Sequence, residues 1–193
     1  MTDGPPSPSL PHKGGGRTAR IGFAFSLALL TAGCFQPMYG DHNVVATAGL
    51  SDKLGTIDVA KISAPNGTRL SRVGIEVRND LIFNLTGGGA AQTPAYVLEI
   101  KLSSQQTQVI VDINSARPDI ENYGINATYT LTEVGTGKKV VTSQTFSRVS
   151  YNIPGQQQRF AGDRGLRDAE NRAAQVIADN IRNRLASYFV AGT

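Results

Sequence analysis

The chain has 193 residues, of which 40% are hydrophobic, 18% charged and 7% aromatic. These values are typical of one globular domain and exclude a disordered or collagen-like chain. A single cysteine and two histidines exclude an internal disulfide framework and a structural zinc site of the usual four-ligand kind. The longest apolar run, residues 21–30, is too short for a membrane-spanning helix, which needs about 18 to 20 residues.

The net charge of +4 is concentrated in the first part of the chain. Residues 1–33 hold three cations and one acid, a net +2, so residues 34–193 hold 16 Lys and Arg against 14 Asp and Glu, also +2. A nucleic-acid-binding protein would show a dense basic stripe. We therefore expect no nucleic-acid partner.

The first 33 residues have the build of a secretory signal. A positive segment ends at Arg20, an apolar stretch covers 21–30, and small residues follow at 31–33. The sole cysteine comes next, and LTAGC at 30–34 resembles a bacterial lipobox, in which the thiol is acylated and becomes the new N-terminus. We assign residues 1–33 to a lipoprotein signal peptide with an extended N-terminal leader and predict acyl chains, such as palmitate, on Cys34.

Acylation of Cys34 would anchor the mature protein to a membrane, because each buried methylene contributes about 0.8 kcal/mol. The residue that follows the cysteine is Phe35 and not Asp. In lipoproteins that are sorted between membranes by the residue at this position, this points to the outer membrane. Residues 34–55 are rich in turn formers and read as the lipidated cysteine and its tether. We expect one α+β domain over 56–193, on the periplasmic side of the outer membrane.

The domain begins with a predicted strand over 56–62, followed by the turn signal PNG at 65–67. From Thr68 the apolar residues recur at helical spacing, and the helix is expected to end near Asn84 and the glycines at 87–89. Alternation predicts a long strand from Tyr96 to Asp112, a loop around 114–121, and a strand over 123–132. A short turn at 134–138 leads to a last strand over 140–151.

A final helix of about twenty residues is predicted from about Gly165. Its apolar stripe consists of Leu166, Ala169, Ala173, Val176, Ile177, Ile181, Leu185 and Tyr188. The charged residues expected off the stripe, on a solvated face, are Arg167, Glu170, Arg172, Asp179 and Arg182.

The order β-α-β-β-β-α predicts an α+β fold, with a single mainly antiparallel four-stranded sheet and two helices on one face. The other face would carry uncharged polar residues, among them Asn126, Thr128, Thr130 and Thr132. This face is either an ordinary solvated surface or one that meets a partner or a lipid.

Residues suited to catalysis are missing from the predicted domain. Both histidines, His12 and His42, precede it, which excludes Ser-His-Asp and Cys-His arrangements there. The carboxylates between 112 and 133 have no spacing that selects an acid–base pair. We therefore expect a protein that is not an enzyme and that needs no cofactor and no metal.

Three features together resemble one family. They are the start CFQPMYG at 34–40, the order of elements, and the ending RDAENRAA at 167–174 with IRNRL at 181–185. The chain is similar to the lipopolysaccharide-assembly lipoproteins LptE, also called RlpB, whose usual start Gly-Cys-Gly-Phe-x-Pro-Leu-Tyr-Gly has one glycine more after the cysteine.

The resemblance implies a protein that plugs and helps to assemble an outer-membrane β-barrel of the LptD type and takes part in delivering lipopolysaccharide to the outer leaflet. In that family, lipopolysaccharide contact is attributed to basic residues and to the region between the second and third strands. By position, this implies that Lys101 and Arg117, with Lys138 and Lys139 at the next turn, bind lipopolysaccharide.

Two other functions are compatible with parts of the sequence. One is a lipoprotein accessory subunit of a periplasmic lipid-transport ABC system, which would have a similar tether and domain. The other is a lipid-anchored hydrolase, which the absence of a domain histidine and of a G-x-S-x-G elbow argues against.

Overall fold

The computed structural model describes residues 49–91, 93–112, 117–153 and 159–192, without the side chains of 110–119 and 159. Cys34 and the predicted signal peptide lie outside the described residues. In chain order the elements are α1 (Leu50–Gly55), β1 (Ile57–Val59), α2 (Arg69–Thr86), β2 (Tyr96–Asp112), β3 (Arg117–Glu133), β4 (Lys139–Asn152) and α3 (Arg159–Ala191).

The strands form one four-stranded sheet in the order β1-β2-β3-β4. The short β1 is parallel to β2, whereas β2, β3 and β4 are antiparallel neighbours. The β2–β3 ladder is long and runs from the Tyr96–Glu133 pair to the Asp112–Arg117 pair. The predicted α+β fold with a single, mainly antiparallel sheet is confirmed.

Both long helices cover the same face of this sheet, as predicted. Helix α2 packs on β1 and β2, α3 packs on β3 and β4, and the two helices contact each other. Side chains from all of these elements enter one hydrophobic core, in which the largest fully buried ones include Ile57, Leu81, Leu98, Ile125 and Ile177. Burying a side chain of this size contributes about 1.5–3 kcal/mol, so this layer is what holds the helices to the sheet.

Helix α2 has the ends that its sequence predicts. The hydroxyl of Thr68 accepts a hydrogen bond from the Ser71 backbone N–H, at 3.2 Å, and so caps the first turn. At the other end Gly87 adopts a left-handed conformation, with φ of 75°, and its N–H donates to the Phe83 carbonyl. A residue without a side chain suits this position, which explains why the helix stops there.

The predicted loop over 114–121 is wrong in its second half, because β3 already begins at Arg117. Pro118 lies opposite Val111 in the β2–β3 ladder, although proline cannot donate a ladder hydrogen bond. The proline is tolerated because β4 pairs with β3 only from Ile120 onward, so no strand among the described residues pairs with Pro118 on its other side.

The last helix is also longer than predicted, since it spans 33 residues and starts at Arg159. Its buried stripe begins only at Leu166, so apolar periodicity could not indicate the turns before it. At Gly165 the helix passes close to β4: a Cβ atom there would lie 3.4 Å from the Asn152 carbonyl oxygen. The predicted stripe itself is buried except for Val176, which is 42% exposed, and Tyr188, which is half-buried.

The start of the domain differs from the prediction in two ways. The last six residues of the expected tether form α1, whose Leu54 is buried in the core. Strand β1 covers only three residues of the predicted 56–62. After Ala60 donates its N–H to the Leu98 carbonyl the chain leaves the sheet, and Ile62 packs towards Gly74 of α2.

The prediction that Glu170 of α3 lies on a solvated face is wrong, because this residue is only 3% exposed. The buried surface of α3 is wider than one stripe because the helix contacts the sheet on one side and α2 on the other. Glu170 lies towards α2, where its Oε2 accepts a hydrogen bond from Arg72. A buried carboxylate requires such a partner, and this ion pair ties the two helices together.

The helix-facing side of the sheet becomes polar towards the edge where β2 ends and β3 begins. The Tyr151 hydroxyl donates to Glu121 and accepts a hydrogen bond of 3.0 Å from the Gln106 side chain. Burial, and secondly the hydrogen bond to Glu121, raise the pKa of Tyr151 from 10.0 to about 12. Burial likewise raises the pKa of the neighbouring Tyr123.

This cluster makes the free energy of unfolding depend on pH in the alkaline range. The unfolded chain loses the Tyr151 proton near pH 10 and the folded chain near pH 12, so the stability that this proton contributes is complete below pH 10 and disappears as the pH rises to about 12. We predict that Tyr151→Phe shows a smaller loss of unfolding free energy over this interval, measured by urea titrations at several pH values. The same dependence of the unfolding free energy on pH in both proteins would contradict the assignment of this effect to Tyr151.

Candidate partner-binding and lipid-binding surface

The second face of the sheet, which we call the open face, carries no helix among the described residues. Along β3 the side chains alternate. Those towards the helices are buried and are Tyr123, Ile125, Ala127, Tyr129 and Leu131. Those on the open face include Asn126, Thr128, Thr130 and Thr132, which are exposed or half-buried. The uncharged polar face predicted from the alternation is therefore present.

The pairing of the strands places polar residues side by side across the open face. Ser103 of β2 lies opposite Asn126, and Thr128 lies opposite Gln144 of β4. Residues paired in this way have Cβ atoms about 4.5–5.5 Å apart. Hydroxyl and amide groups at this spacing can donate to and accept from a polar surface without the large desolvation cost of burying an ion.

An aromatic residue and a cation interrupt this polar surface on β4. Phe146 is 60% exposed, and the Arg148 guanidinium carbon lies 5.0 Å from the centre of its ring. Such a cation–π pair contributes about 0.5–1 kcal/mol at an exposed site. Next to it, the side chains of Gln105 and Arg148 cover Gly124 of β3, since a Cβ atom there would be 3.3 Å from the Gln105 Cγ and 3.7 Å from the Arg148 Cγ.

The pair Phe146 and Arg148 is missing from the residues predicted from the sequence. Two residues apart on one strand, they share a face, and the exposed positions of β4 alternate with its buried ones. That alternation could have indicated them, but only the β2–β3 and β3–β4 registers together show that these two residues are on the same face as Thr128 and Lys101.

Lys101 lies in the middle of the open face. It is exposed on β2 and pairs with Thr128, which in turn pairs with Gln144. Lys101 is thus the predicted cation that lies beside the uncharged polar residues of this face, and the exposed Glu99, two residues before it on β2, shares the face.

Lys138 and Lys139 lie at the β3–β4 turn and are both exposed. The turn is tightly bonded: the Thr136 hydroxyl donates to Glu133, at 2.5 Å, and Gly137, with φ of 68°, donates its N–H to the Glu133 carbonyl. Lys139 pairs with Thr132, four residues along β3 from the partner of Lys101. At about 3.4 Å per residue along a strand, this is a separation of roughly 14 Å in the strand direction.

Arg117 is at the opposite end of the sheet. Its backbone opposes Asp112, at the start of β3, and its side chain lies outside the described part of the structure. Thr128 is eleven positions along β3 from Arg117, a distance of roughly 37 Å along a strand. The four predicted cations therefore do not form one cluster: Lys101, Lys138 and Lys139 share one half of the sheet, and Arg117 stands apart.

Within the described residues, no group of three or more His, Cys, Asp or Glu side chains is placed to hold a metal ion. No described helix combines the length and the hydropathy that crossing a membrane requires.

Comparison with models of protein families gives a match that covers most of the described residues. The model of the lipopolysaccharide-assembly family, LptE, matches residues 54–185. The match contains the complete sheet, α2 and most of α3. A search of curated proteins finds no match.

Solved structures with a similar fold include three bacterial lipoproteins. A putative lipoprotein from Caulobacter crescentus is 18% identical, with a TM-score of 0.57 over 74% of this chain and 96% of that one. A minor lipoprotein from Acinetobacter baumannii is 11% identical, with a TM-score of 0.51 over 69% and 91%. Rare lipoprotein B from Shewanella oneidensis is 14% identical, with a TM-score of 0.50 over 69% and 96%. At these identities the likeness concerns the fold.

Proposed function

The chain belongs to the lipopolysaccharide-assembly family LptE, and from this premise we propose that it is a lipid-anchored, non-enzymatic subunit of the outer-membrane machinery that exports lipopolysaccharide. In this proposal Cys34 carries the acyl chains and holds the domain at the periplasmic side of the outer membrane. The domain plugs a β-barrel of the LptD type, helps that barrel to assemble, and takes part in delivering lipopolysaccharide to the outer leaflet.

The open face is the observation that supports a barrel partner. It is long, because β2 and β3 are each 17 residues long, and hydroxyl and amide side chains surround most of Lys101 near its centre. The interior of an outer-membrane barrel is polar, and its strands alternate lipid-facing with lumen-facing residues. An uncharged polar face can exchange hydrogen bonds with such a lumen, whereas an apolar face could not.

The cations of the open face support a role in contacting lipopolysaccharide. We assign the main contact to Lys101, with Lys138 and Lys139 as neighbours at the turn, and keep Arg117 as a separate contact at the far end of β3. Ammonium and guanidinium groups bind phosphates through charge-assisted hydrogen bonds, and lipid A carries phosphates. The hydrogen bonds within the β3–β4 turn would hold the backbone of Lys138 in place for such a contact.

A pull-down tests the partner. The full chain with a C-terminal tag is recovered in mild detergent from its own outer membranes, and the mass of the bait reports acylation of Cys34. We expect an acylated bait with one large barrel protein in roughly equimolar amount. Recovery of inner-membrane transporter subunits would instead favour an ABC-system accessory protein, and an unacylated bait would contradict the anchor.

Variants of the open face make this experiment specific. Asn126→Asp with Thr128→Glu places two charges where we propose that the barrel binds, and we expect it to reduce the recovered barrel at least tenfold, the equivalent of about 1.4 kcal/mol. The control, Asn79→Asp with Gln175→Glu, adds the same charge at exposed positions of the helices and should recover the barrel as the unchanged protein does. Equal recovery with both double variants would contradict the assignment of the open face.

The cation assignment has its own test, in which Lys101→Glu and Arg117→Glu are measured singly and together for lipopolysaccharide binding by the purified full chain. We expect Lys101→Glu to weaken binding several-fold, because a carboxylate would repel the lipid A phosphates. Lys61→Glu reverses an exposed cation outside the strands and is the matched control. Unchanged binding by the double variant would remove both residues from the site.

A further inference from the structure

One cation of the open face is held in place by its neighbours. The stem of Arg148 on β4 reaches over β3 at Gly124, where a Cβ atom would be 3.7 Å from the Arg148 Cγ. At the other end of the side chain, the guanidinium carbon lies 5.0 Å from the centre of the Phe146 ring. The glycine leaves room for the stem and the ring attracts the head group, so Arg148 has fewer conformations open to it than a solitary surface arginine.

The strand registers place this pair among uncharged residues. Phe146 and Arg148 end two adjacent rows across β2, β3 and β4, which are Ser103–Asn126–Phe146 and Gln105–Gly124–Arg148. The next row on one side is Lys101–Thr128–Gln144, and the next on the other side is Thr107–Asn122–Ser150. These four rows contain no carboxylate.

The charge of Arg148 is not balanced on the open face. Arg148 is exposed, and among the described residues it takes part in no ion pair. The acid of this face, Glu99, lies six positions along β2 from Gln105, the residue in the row of Arg148, which is roughly 20 Å in the strand direction. A guanidinium has five N–H donors in one plane. A carboxylate that meets them must therefore come from a partner.

The pair has the properties of an interface anchor. Arginine and aromatic residues are enriched among the few side chains that dominate the affinity of protein interfaces. A side chain that is already held in one conformation loses less entropy when a partner binds it. Phe146 is 60% exposed, so a partner that covers its ring also excludes water from the guanidinium beside it, which strengthens an ion pair there.

The geometry favours a carboxylate over a lipid phosphate at this position. The fork of a guanidinium matches the two oxygens of a carboxylate, and one such pair is neutral. A phosphate with more than one negative charge needs further cations for balance, but Arg148 is the sole cation of its row and of both adjacent rows. The proposed lipopolysaccharide contact at Lys101 is two rows away, roughly 14 Å in the strand direction.

We propose that Arg148, held by Phe146 and Gly124, anchors the barrel contact by binding an Asp or Glu carboxylate of the barrel's inner wall. This inference rests on the proposed function, because it requires a barrel on the open face. It goes beyond that function by naming the residue pair that carries most of the affinity and the chemical group that the partner presents.

Recovery of the barrel from outer membranes with the full, tagged chain tests the anchor. We expect Arg148→Gln and Phe146→Leu each to reduce the recovered barrel at least about tenfold. The controls Arg167→Gln and Phe83→Leu make the same changes at exposed positions of the helices and should recover the barrel as the unchanged chain does. Equal recovery by the variants and their controls would overturn the proposal.

Gly124→Thr separates the held position of the arginine from its charge and from folding. It leaves Arg148 in place but puts a side chain where the arginine stem lies, and a β-branched residue suits a strand better than glycine does. We expect a several-fold loss of recovered barrel without a lower melting temperature. Full recovery by this variant would contradict the role of Gly124 in holding the anchor.

Arg148→Lys identifies the group that is bound. In membranes that contain this full-length variant, a water-soluble carbodiimide joins the introduced ammonium group to a carboxylate in contact with it, as an amide. We expect peptide mapping to show position 148 linked to an Asp or Glu of a large outer-membrane barrel. The unchanged chain is the control, because a guanidinium does not form this amide.

The outcomes distinguish this inference from the proposed function. A link from position 148 to a lipopolysaccharide phosphate, or no link there while Lys101 is linked to the barrel, would overturn the anchor and leave the barrel partner standing. If the unchanged chain recovers no barrel, the proposed function is contradicted, and the anchor with it.

Discussion

The register of β3 between its two neighbours is the constraint on which both faces of the molecule depend. A slip of one residue would turn Ile125 and Leu131 to the open side and bring Asn126 and Thr128 under the helices. Buried hydroxyls and amides without partners, and a core without its largest side chains, would both oppose this slip. The same apolar contacts that fix the helices therefore fix which polar residues the open face presents.

Most of the fold follows from local patterns. The alternation around Tyr123–Leu131 and the helical spacing of Val73, Val77 and Leu81 are properties of short segments, and the structure has both elements where these predict them. The strand at Arg117 and the burial of Glu170 depend on distant residues: Arg72 is 98 positions from Glu170. For the same reason, spacing alone could not show that Lys101 lies near the middle of the sheet and Arg117 at one end of it.

The chemistry of the open face is mostly that of hydroxyl and amide side chains, with the exposed and opposite charges of Lys101 and Glu99 among them. Such a surface suits a broad polar partner, because most of its groups can exchange hydrogen bonds without the desolvation cost of burying an ion. Both long helices pack on the other face of the sheet, so among the described residues no helix covers the open face.

The central claim is that the open face contacts an outer-membrane barrel. The most direct measurement is photocrosslinking in living cells from a light-activated amino acid at Thr128, with the products identified by mass spectrometry. The proposed function predicts one dominant crosslink, to a large outer-membrane β-barrel protein. Crosslinks from Thr128 only to inner-membrane transporter subunits, or no crosslink in cells that contain the barrel, would contradict it.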